Sequence, residues 1–187
     1  MSWTRRSWLT RIATVIVATA GVSLGFVLPA QAMTPTNTLT CEARPGAAAE
    51  TTRVDGLQAC GAVTDGAGTA YGYSDGGVGF ADAHGDSTVG AVGLGGGVGA
   101  AEGHGALLGA FGTGADALAL GVLDEPGVAL VAAGPHSQAF VGDGADPILC
   151  QGDMALAVNV TNGRGCLSFG EFRFATPEPV ETDGPVL

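Results

Sequence analysis

Three histidines are the side chains of this sequence best suited to hold a metal ion, because neutral imidazole is a common metal ligand. They are His84, His104 and His136, and each stands beside a glycine or a proline. The two intervals between them differ in length and share no clean period. We therefore expect the three histidines to lie on separate loops, and we predict no metal site.

Four cysteines are the next candidates for chemistry: Cys41, Cys60, Cys150 and Cys166. An even number of cysteines in an exported chain indicates disulfides, and three pairings can be drawn. The spacing favours Cys41–Cys60 and Cys150–Cys166, because each pair closes a short loop at one end of the domain. A four-cysteine zinc site would need C-x2-C pairs, which the sequence lacks.

Two short motifs approach known sites without completing them. Gly85-Asp86-Ser87 follows His84, but the glycines that surround a serine nucleophile in G-x-S-x-G or GDSGG are missing. The stretch GGVGFAD (residues 76–82) approaches a calcium-binding nonapeptide, with its aspartate one position late. No G-x-G-x-x-G occurs in the glycine-rich body. We predict no catalytic, cofactor-binding or metal-ligating residue, and we expect that the protein is not an enzyme and uses no cofactor.

The N-terminal segment, residues 1–32, has the features of a cleavable export signal. Arg5, Arg6 and Arg11 precede an apolar stretch over residues 12–27, and Ala30-Gln31-Ala32 is a small-x-small cleavage pattern. The paired arginines also resemble a twin-arginine export motif. We expect cleavage before Met33, no membrane span afterwards, and a location outside the cell or in its envelope.

The charge of the exported part excludes several partners. All 18 acidic residues follow residue 32, against four arginines and no lysine, which leaves a net charge of −14. Such a surface repels nucleic acid and anionic lipid. A P-loop is excluded because it needs a lysine.

The chain divides by composition into a signal, one domain and a tail. Residues 33–40 form a polar leader, and residues 41–174 form a single domain with a cysteine-closed cap at each end (41–60 and 150–174) around a glycine-rich body (61–149). The tail, residues 175–187, is acidic and rich in proline, which is typical of disorder.

Short apolar bursts about ten residues apart, separated by glycine and aspartate, predict an all-β domain. Phe80, Phe111 and Phe140 recur about 30 residues apart, so we expect them to occupy equivalent buried positions. Two architectures fit these bursts. One is a β-solenoid with disulfide-closed ends, and the other is an antiparallel sandwich or barrel. The detectable repeat favours the solenoid.

The burst ALALGVL (residues 117–123) has a large and a small face. Leu118, Leu120 and Val122 alternate with small residues, so a strand would place the two sets on opposite faces. We expect the large side chains to fill the core and the small ones to form a smooth exposed face. That candidate interaction face consists of Ala117, Ala119, Gly121 and Ala129.

The overall layout resembles an uncharacterised family of small secreted proteins from high-GC Gram-positive bacteria. The features that carry the resemblance are the cysteine-closed head, the stretch AGPHSQAFVGDGADPILC and the final Gly-Arg-Gly-Cys. The bursts ALALG and VALVAAG, within residues 78–144, are also similar to the head repeats of trimeric autotransporter adhesins. The first resemblance implies export and the second implies a β-roll.

These observations favour a non-enzymatic structural or interaction protein of the cell envelope or exterior. Its partner would be a second copy or an envelope component, docked on the smooth face. A binder of a small apolar ligand or lipid is an alternative, and an enzyme is a further one that no catalytic constellation supports.

Overall fold

The computed structural model describes residues 38–144 and 146–177 of the 187-residue chain. The expected export signal, most of the polar leader and most of the acidic tail lie outside these residues. No helix able to cross a membrane is found in the described part.

Fifteen strands make up the described structure, with no helix among the described residues. Glycines and short polar segments separate them, as the bursts predict. In chain order they are β1 (Leu39–Ala43), β2 (Ala49–Asp55), β3 (Gln58–Thr64), β4 (Thr69–Asp75), β5 (Val78–His84), β6 (Thr88–Leu94), β7 (Val98–His104), β8 (Leu107–Thr113), β9 (Leu118–Leu123), β10 (Val128–Ala133), β11 (Gln138–Val141), β12 (Leu149–Gln151), β13 (Met154–Asn159), β14 (Arg164–Phe169) and β15 (Phe172–Ala175).

The strands form a two-sheet β-solenoid of about four turns, which confirms the favoured architecture. Sheet 1 has the order β1-β4-β6-β8-β10-β13-β14-β15, and sheet 2 has the order β12-β11-β9-β7-β5-β3-β2. From β3 to β11 the chain alternates between the sheets, and neighbours within each sheet are parallel. One turn carries the chain from a residue to its register partner on the next parallel strand, as from Ala59 to Val78 and from Leu107 to Val128.

Antiparallel strands and disulfides close both ends of the solenoid. At the start, β1 and β2 pair antiparallel with β4 and β3; at the end, β12 and β13 pair antiparallel with β11 and β10. The Cys41–Cys60 and Cys150–Cys166 disulfides are both present, with Cα atoms 5.6 Å and 5.8 Å apart. Each one joins sheet 1 to sheet 2, so the predicted pairing and its capping position are confirmed.

The two sheets approach each other so closely at several glycines that no side chain fits there. A Cβ atom added at Gly79 would lie 2.2 Å from the carbonyl oxygen of Tyr73, and one at Gly112 would lie 2.1 Å from that of Val98. Two-residue connections such as Gly76–Gly77, where Gly76 has φ 68°, bring successive strands this close. A connection of that length spans at most about 10 Å when extended, and less in a turn.

This close approach inverts the predicted core. Ala117, Ala119, Gly121 and Ala129 are all buried between the sheets, whereas Leu118 and Leu120 point outward and stay partly exposed. The prediction of a smooth exposed face was therefore wrong. The alternation of large and small residues was correct, but the inward positions are mostly small, with a minority of larger residues such as Leu108, Leu123 and Val131 buried among them.

The three phenylalanines do not form an internal ladder. Phe80 and Phe140 lie in sheet 2 and Phe111 lies in sheet 1, and all three point outward, with Phe111 40% exposed. The interval between successive phenylalanines equals one and a half turns, so alternate copies fall on opposite sheets. Phe80 and Phe140 do share one outward column, three turns apart.

Candidate functional site

The solenoid register stacks two of the three histidines. β5 and β7 are parallel neighbours in sheet 2, and their final residues, His84 and His104, are direct partners. The imidazole rings are stacked with centroids 4.5 Å apart. The interval between these two histidines is one turn of the solenoid, so the expectation of separate loops was wrong for this pair.

Two carboxylates occupy the next outward position on the same strands. Asp82 and Glu102 are register partners, and each stands two positions before the histidine of its strand. Oδ1 of Asp82 lies 3.0 Å from Nε2 of His84. Oε1 of Glu102 lies 4.0 Å from Nε2 of His84 and 3.8 Å from Nε2 of His104. We call Asp82, His84, Glu102 and His104 the His–carboxylate cluster.

Both carboxylates are largely shielded from water, whereas the rings are more accessible. The side chains of Asp82 and Glu102 are 11% and 13% exposed, and those of His84 and His104 are 26% and 47% exposed. The carboxylate of Asp82 raises the pKa of His84 above its ordinary value, and the charges of Glu102 and Asp65 act in the same direction. Partial burial of the ring opposes this increase.

A third carboxylate faces the other side of the His84 ring. Oδ2 of Asp65 lies 4.0 Å from Nδ1 of His84 and accepts a hydrogen bond from the backbone N–H of Gly85. Its Oδ1 accepts a second one from the N–H of Ala67. These backbone donors lower the pKa of Asp65 and hold its carboxylate in place.

The remaining sequence motifs have structural explanations. Ser87 is buried, and its hydroxyl lies 2.6 Å from the carbonyl oxygen of His84 and 2.8 Å from that of Gly103. The Ser87 hydroxyl therefore stabilises the connection between two turns and is not available as a nucleophile. His136 lies in a turn, with φ 54°, and its Nδ1 is 3.2 Å from Oδ2 of Asp116, where both side chains are exposed.

The outer face of sheet 1 is the second notable surface. Large apolar side chains project from it in columns, one of which runs through Tyr73, Val92, Phe111, Ala132, Leu156, Leu167 and Phe174. In β6, β8, β10, β13, β14 and β15 no outward position carries a charged side chain, whereas β1 and β4 at the start of the sheet carry Glu42 and Asp75 there. We call the outward surface of these six strands the apolar face.

Many exposed large apolar residues belong to this face. They are Leu107, Phe111, Val128, Leu130, Met154, Leu167, Phe169, Phe172 and Phe174, each more than one third exposed. A shallow depression of about 110 Å³ lies among Ala132, Met154, Leu156, Leu167 and Phe169.

Comparison with known protein families gives one match. A family described as a family of unknown function, DUF6764, matches residues 5–169. The chain belongs to this family. Membership of DUF6764 agrees with the expected uncharacterised family, whereas the bacterial source and the likeness to adhesin heads remain predictions. No curated protein and no solved structure matches the chain.

Neither surface was identified from the sequence. The His–carboxylate cluster could have been found from the repeat of acid-x-His, because Asp82-Ala83-His84 is followed one turn later by Glu102-Gly103-His104. The apolar face could not, because the sequence does not show which side of each strand faces inward.

Proposed function

We propose that the chain is an exported, non-enzymatic interaction protein of the cell envelope or exterior. Its partner in this proposal is a second copy of the same chain, docked through the apolar face. The observation that carries the proposal is the absence of charge from the outward positions of six of the eight strands of sheet 1, in a protein with 18 acidic residues. Large exposed apolar patches commonly mark contact surfaces.

The size of the face suits a pair of copies. Six strands spaced about 4.8 Å apart cover about 29 Å, and their length of about 20 Å gives a projected area of about 600 Å². Two copies packed face to face would bury about 1,200 Å², which is the lower end of the range for specific interfaces. Such packing resembles a β-sandwich, in which the side chains on the two facing sheet surfaces interdigitate.

A second copy can pair through the apolar face although both copies are acidic. The carboxylates lie outside the apolar face, so pairing removes no charged side chain on those six strands from water. The two copies still repel each other at longer range, and this repulsion weakens as salt screens it. Association should therefore strengthen with ionic strength.

The alternative of a small apolar ligand has less support. Its best candidate site is the depression of about 110 Å³ on the apolar face. Pockets for drug-sized ligands are about 300–1,000 Å³ and enclose most of the ligand. A ligand bound there would be largely uncovered unless a second copy closed over it.

The test is the mass of the disulfide-bonded protein in solution, measured by sedimentation or light scattering over a range of concentration and salt. We expect a dimer that dissociates on dilution. Leu130→Glu places a charge in the middle of the apolar face, where Leu130 is 41% exposed, and should give a monomer. Leu57→Glu is the matched control, because Leu57 lies in the β2–β3 turn and is 95% exposed.

Two outcomes would contradict the proposal. One is a wild-type protein that stays monomeric at high concentration and high salt. The other is a Leu57→Glu variant that dissociates as completely as Leu130→Glu. A monomer that copurifies with an apolar compound would favour the ligand alternative instead.

A further inference from the structure

The His–carboxylate cluster brings four ligand-type side chains to one spot on the outer surface of sheet 2. This happens because β5 and β7 run parallel and in register, with Asp82 beside Glu102 and His84 beside His104. The spot lies on the opposite sheet from the apolar face, so any role it has is separate from the pairing proposed above.

The ligand atoms are close to the separation that a metal ion requires. One nitrogen or oxygen from each of His84, Glu102 and His104 lies within 4.8 Å of the others. Around a tetrahedral zinc ion with ligand distances of about 2.0–2.1 Å, ligand atoms lie about 3.3 Å apart. Side chains must rotate to close the difference, and the His104 side chain, about half exposed, has room to do so.

The negative charge of the cluster favours the binding of a cation. Asp82 and Glu102 are like charges placed directly side by side on neighbouring strands, which is destabilising. Burial of both carboxylates strengthens this repulsion, because the local dielectric is low. With Asp65 nearby there are three carboxylates and two imidazoles, so the cluster stays negative even when one ring is protonated.

Asp82 brings a buried carboxylate oxygen to the same spot. Oδ1 of Asp82 is inaccessible to water, and its partner is Nε2 of His84, 3.0 Å away. Asp82 as a residue is only 8% exposed. A metal ion on Nε2 of His84 would take the place of the proton that this nitrogen shares with Asp82, and the carboxylate would then lie beside the ion.

The surroundings of His84 resemble those of a metal-bound histidine. A ligating imidazole commonly has a carboxylate on its other ring nitrogen, which fixes the tautomer and orientation of the ring. Asp65 lies on that side of the ring, where two backbone N–H groups hold it, but its 4.0 Å from Nδ1 must shorten before it accepts a hydrogen bond from the ring. This leaves Nε2 directed toward Asp82 and Glu102.

We propose that His84, Glu102 and His104 bind one divalent transition-metal ion of the zinc type, with Asp82 beside the ion and Asp65 orienting His84. Two imidazoles with carboxylate oxygens suit Zn²⁺, Cu²⁺ or Ni²⁺, whereas Ca²⁺ and Mg²⁺ prefer oxygen alone. The ion joins two successive turns of the solenoid from outside, at the middle of its length.

The experiment is a titration of the metal-free, disulfide-bonded protein with Zn²⁺ by calorimetry and with Co²⁺ by visible absorption. We expect one ion per chain and no comparable binding of Ca²⁺. Loss of a residue that only orients a metal ligand typically weakens metal binding by about 10–100-fold. His104→Ala removes a ligand itself, so it should weaken Zn²⁺ binding by at least that factor. Asp65→Asn should weaken binding less than His104→Ala does.

His136→Ala is the matched control, because His136 also pairs with a carboxylate but lies in an exposed turn outside the cluster. His104→Gln keeps the size of the side chain, so it tests the same ligand without the risk that alanine disturbs β7. Circular dichroism verifies the fold of each variant. The proposal is overturned if the wild type gives neither heat with Zn²⁺ nor a Co²⁺ spectrum. It is equally overturned if folded His104→Ala or His104→Gln binds Zn²⁺ as tightly as the wild type does.

Discussion

Replacing Gly112 by alanine tests the close approach of the two sheets with a single methyl group. Gly112 lies in β8, between β6 and β10 of sheet 1. The new Cβ would lie 2.1 Å from the carbonyl oxygen of Val98 and 2.4 Å from its carbonyl carbon. These atoms belong to the backbone of β7 in sheet 2, so no side-chain rotation can relieve the contact.

The expected loss follows from what must move. Normal carbon–oxygen contact is more than an ångström longer than the distance to Val98, so the sheets must separate or β8 must shift. Both strands are held by neighbours on each side, and the N–H of Val98 donates to the carbonyl oxygen of Ala117. Overpacking of a well-packed core costs about 1–3 kcal/mol, and because the obstacle here is rigid backbone we expect Gly112→Ala to cost about 3 kcal/mol.

Gly90→Ala is the matched control. Gly90 lies in β6 of the same sheet but faces outward, and a Cβ there meets nothing within 4 Å. Its extended backbone accepts alanine, which restricts the unfolded chain more than glycine does. We therefore expect Gly90→Ala to be stabilising by about 0.4–1 kcal/mol.

Urea unfolding with both disulfides intact measures the two effects. A loss of about 3 kcal/mol is a large part of the 5–15 kcal/mol typical of a domain, so the midpoint of Gly112→Ala should fall clearly at an unchanged m-value. If Gly112→Ala unfolds at the same urea concentration as the wild type, or as Gly90→Ala, the thin interior is refuted.

Two further predictions concern the core and the caps. Ala119→Glu should lower the free energy of unfolding by several kcal/mol, because Ala119 is 0% exposed and the carboxylate would have no partner between the sheets. Thermal melting measures this loss. A melting temperature equal to that of the wild type would contradict the burial of Ala119. Replacing Cys150 and Cys166 together by serine should cost about 3 kcal/mol, as expected for a loop closed over a sequence separation of 16. Nonreducing peptide mapping of the wild type should find the Cys41–Cys60 and Cys150–Cys166 peptides, and a Cys60–Cys150 peptide would contradict the caps.

The features of the fold that follow local rules could be predicted from the sequence. Short apolar bursts with glycine between them indicate strands and tight turns, whichever residues lie inside. Disulfide pairing followed from loop length, because Cys41 and Cys60, like Cys150 and Cys166, lie close together along the chain, at sequence separations of 19 and 16. The strand prediction and the disulfide pairing both depend only on residues that are close together in the sequence.

The inside and outside of the solenoid depend on a distance that no local pattern gives. In ALALGVL the alternation is the same whether the leucines or the alanines face inward. The usual rule that large apolar residues are buried favours the leucines. Here the spacing of the sheets decides, and it is set by connections as short as Gly105–Ala106. The strand ends that define those connections are not visible in a run of glycine and alanine.

The length of one turn decides whether the histidines are read as scattered residues or as a cluster. The longer period, taken from Phe80, Phe111 and Phe140, places His84 and His104 out of phase. The true turn is shorter, and it places the two histidines on adjacent strands at the same height. The phenylalanine spacing gave the wrong period because these side chains lie on the outer surface, where the fold does not require them to recur every turn. Acid-x-His does recur after one turn, and a residue pair that repeats in phase with the solenoid on its outer surface is a better guide to a site than the spacing of any one residue type.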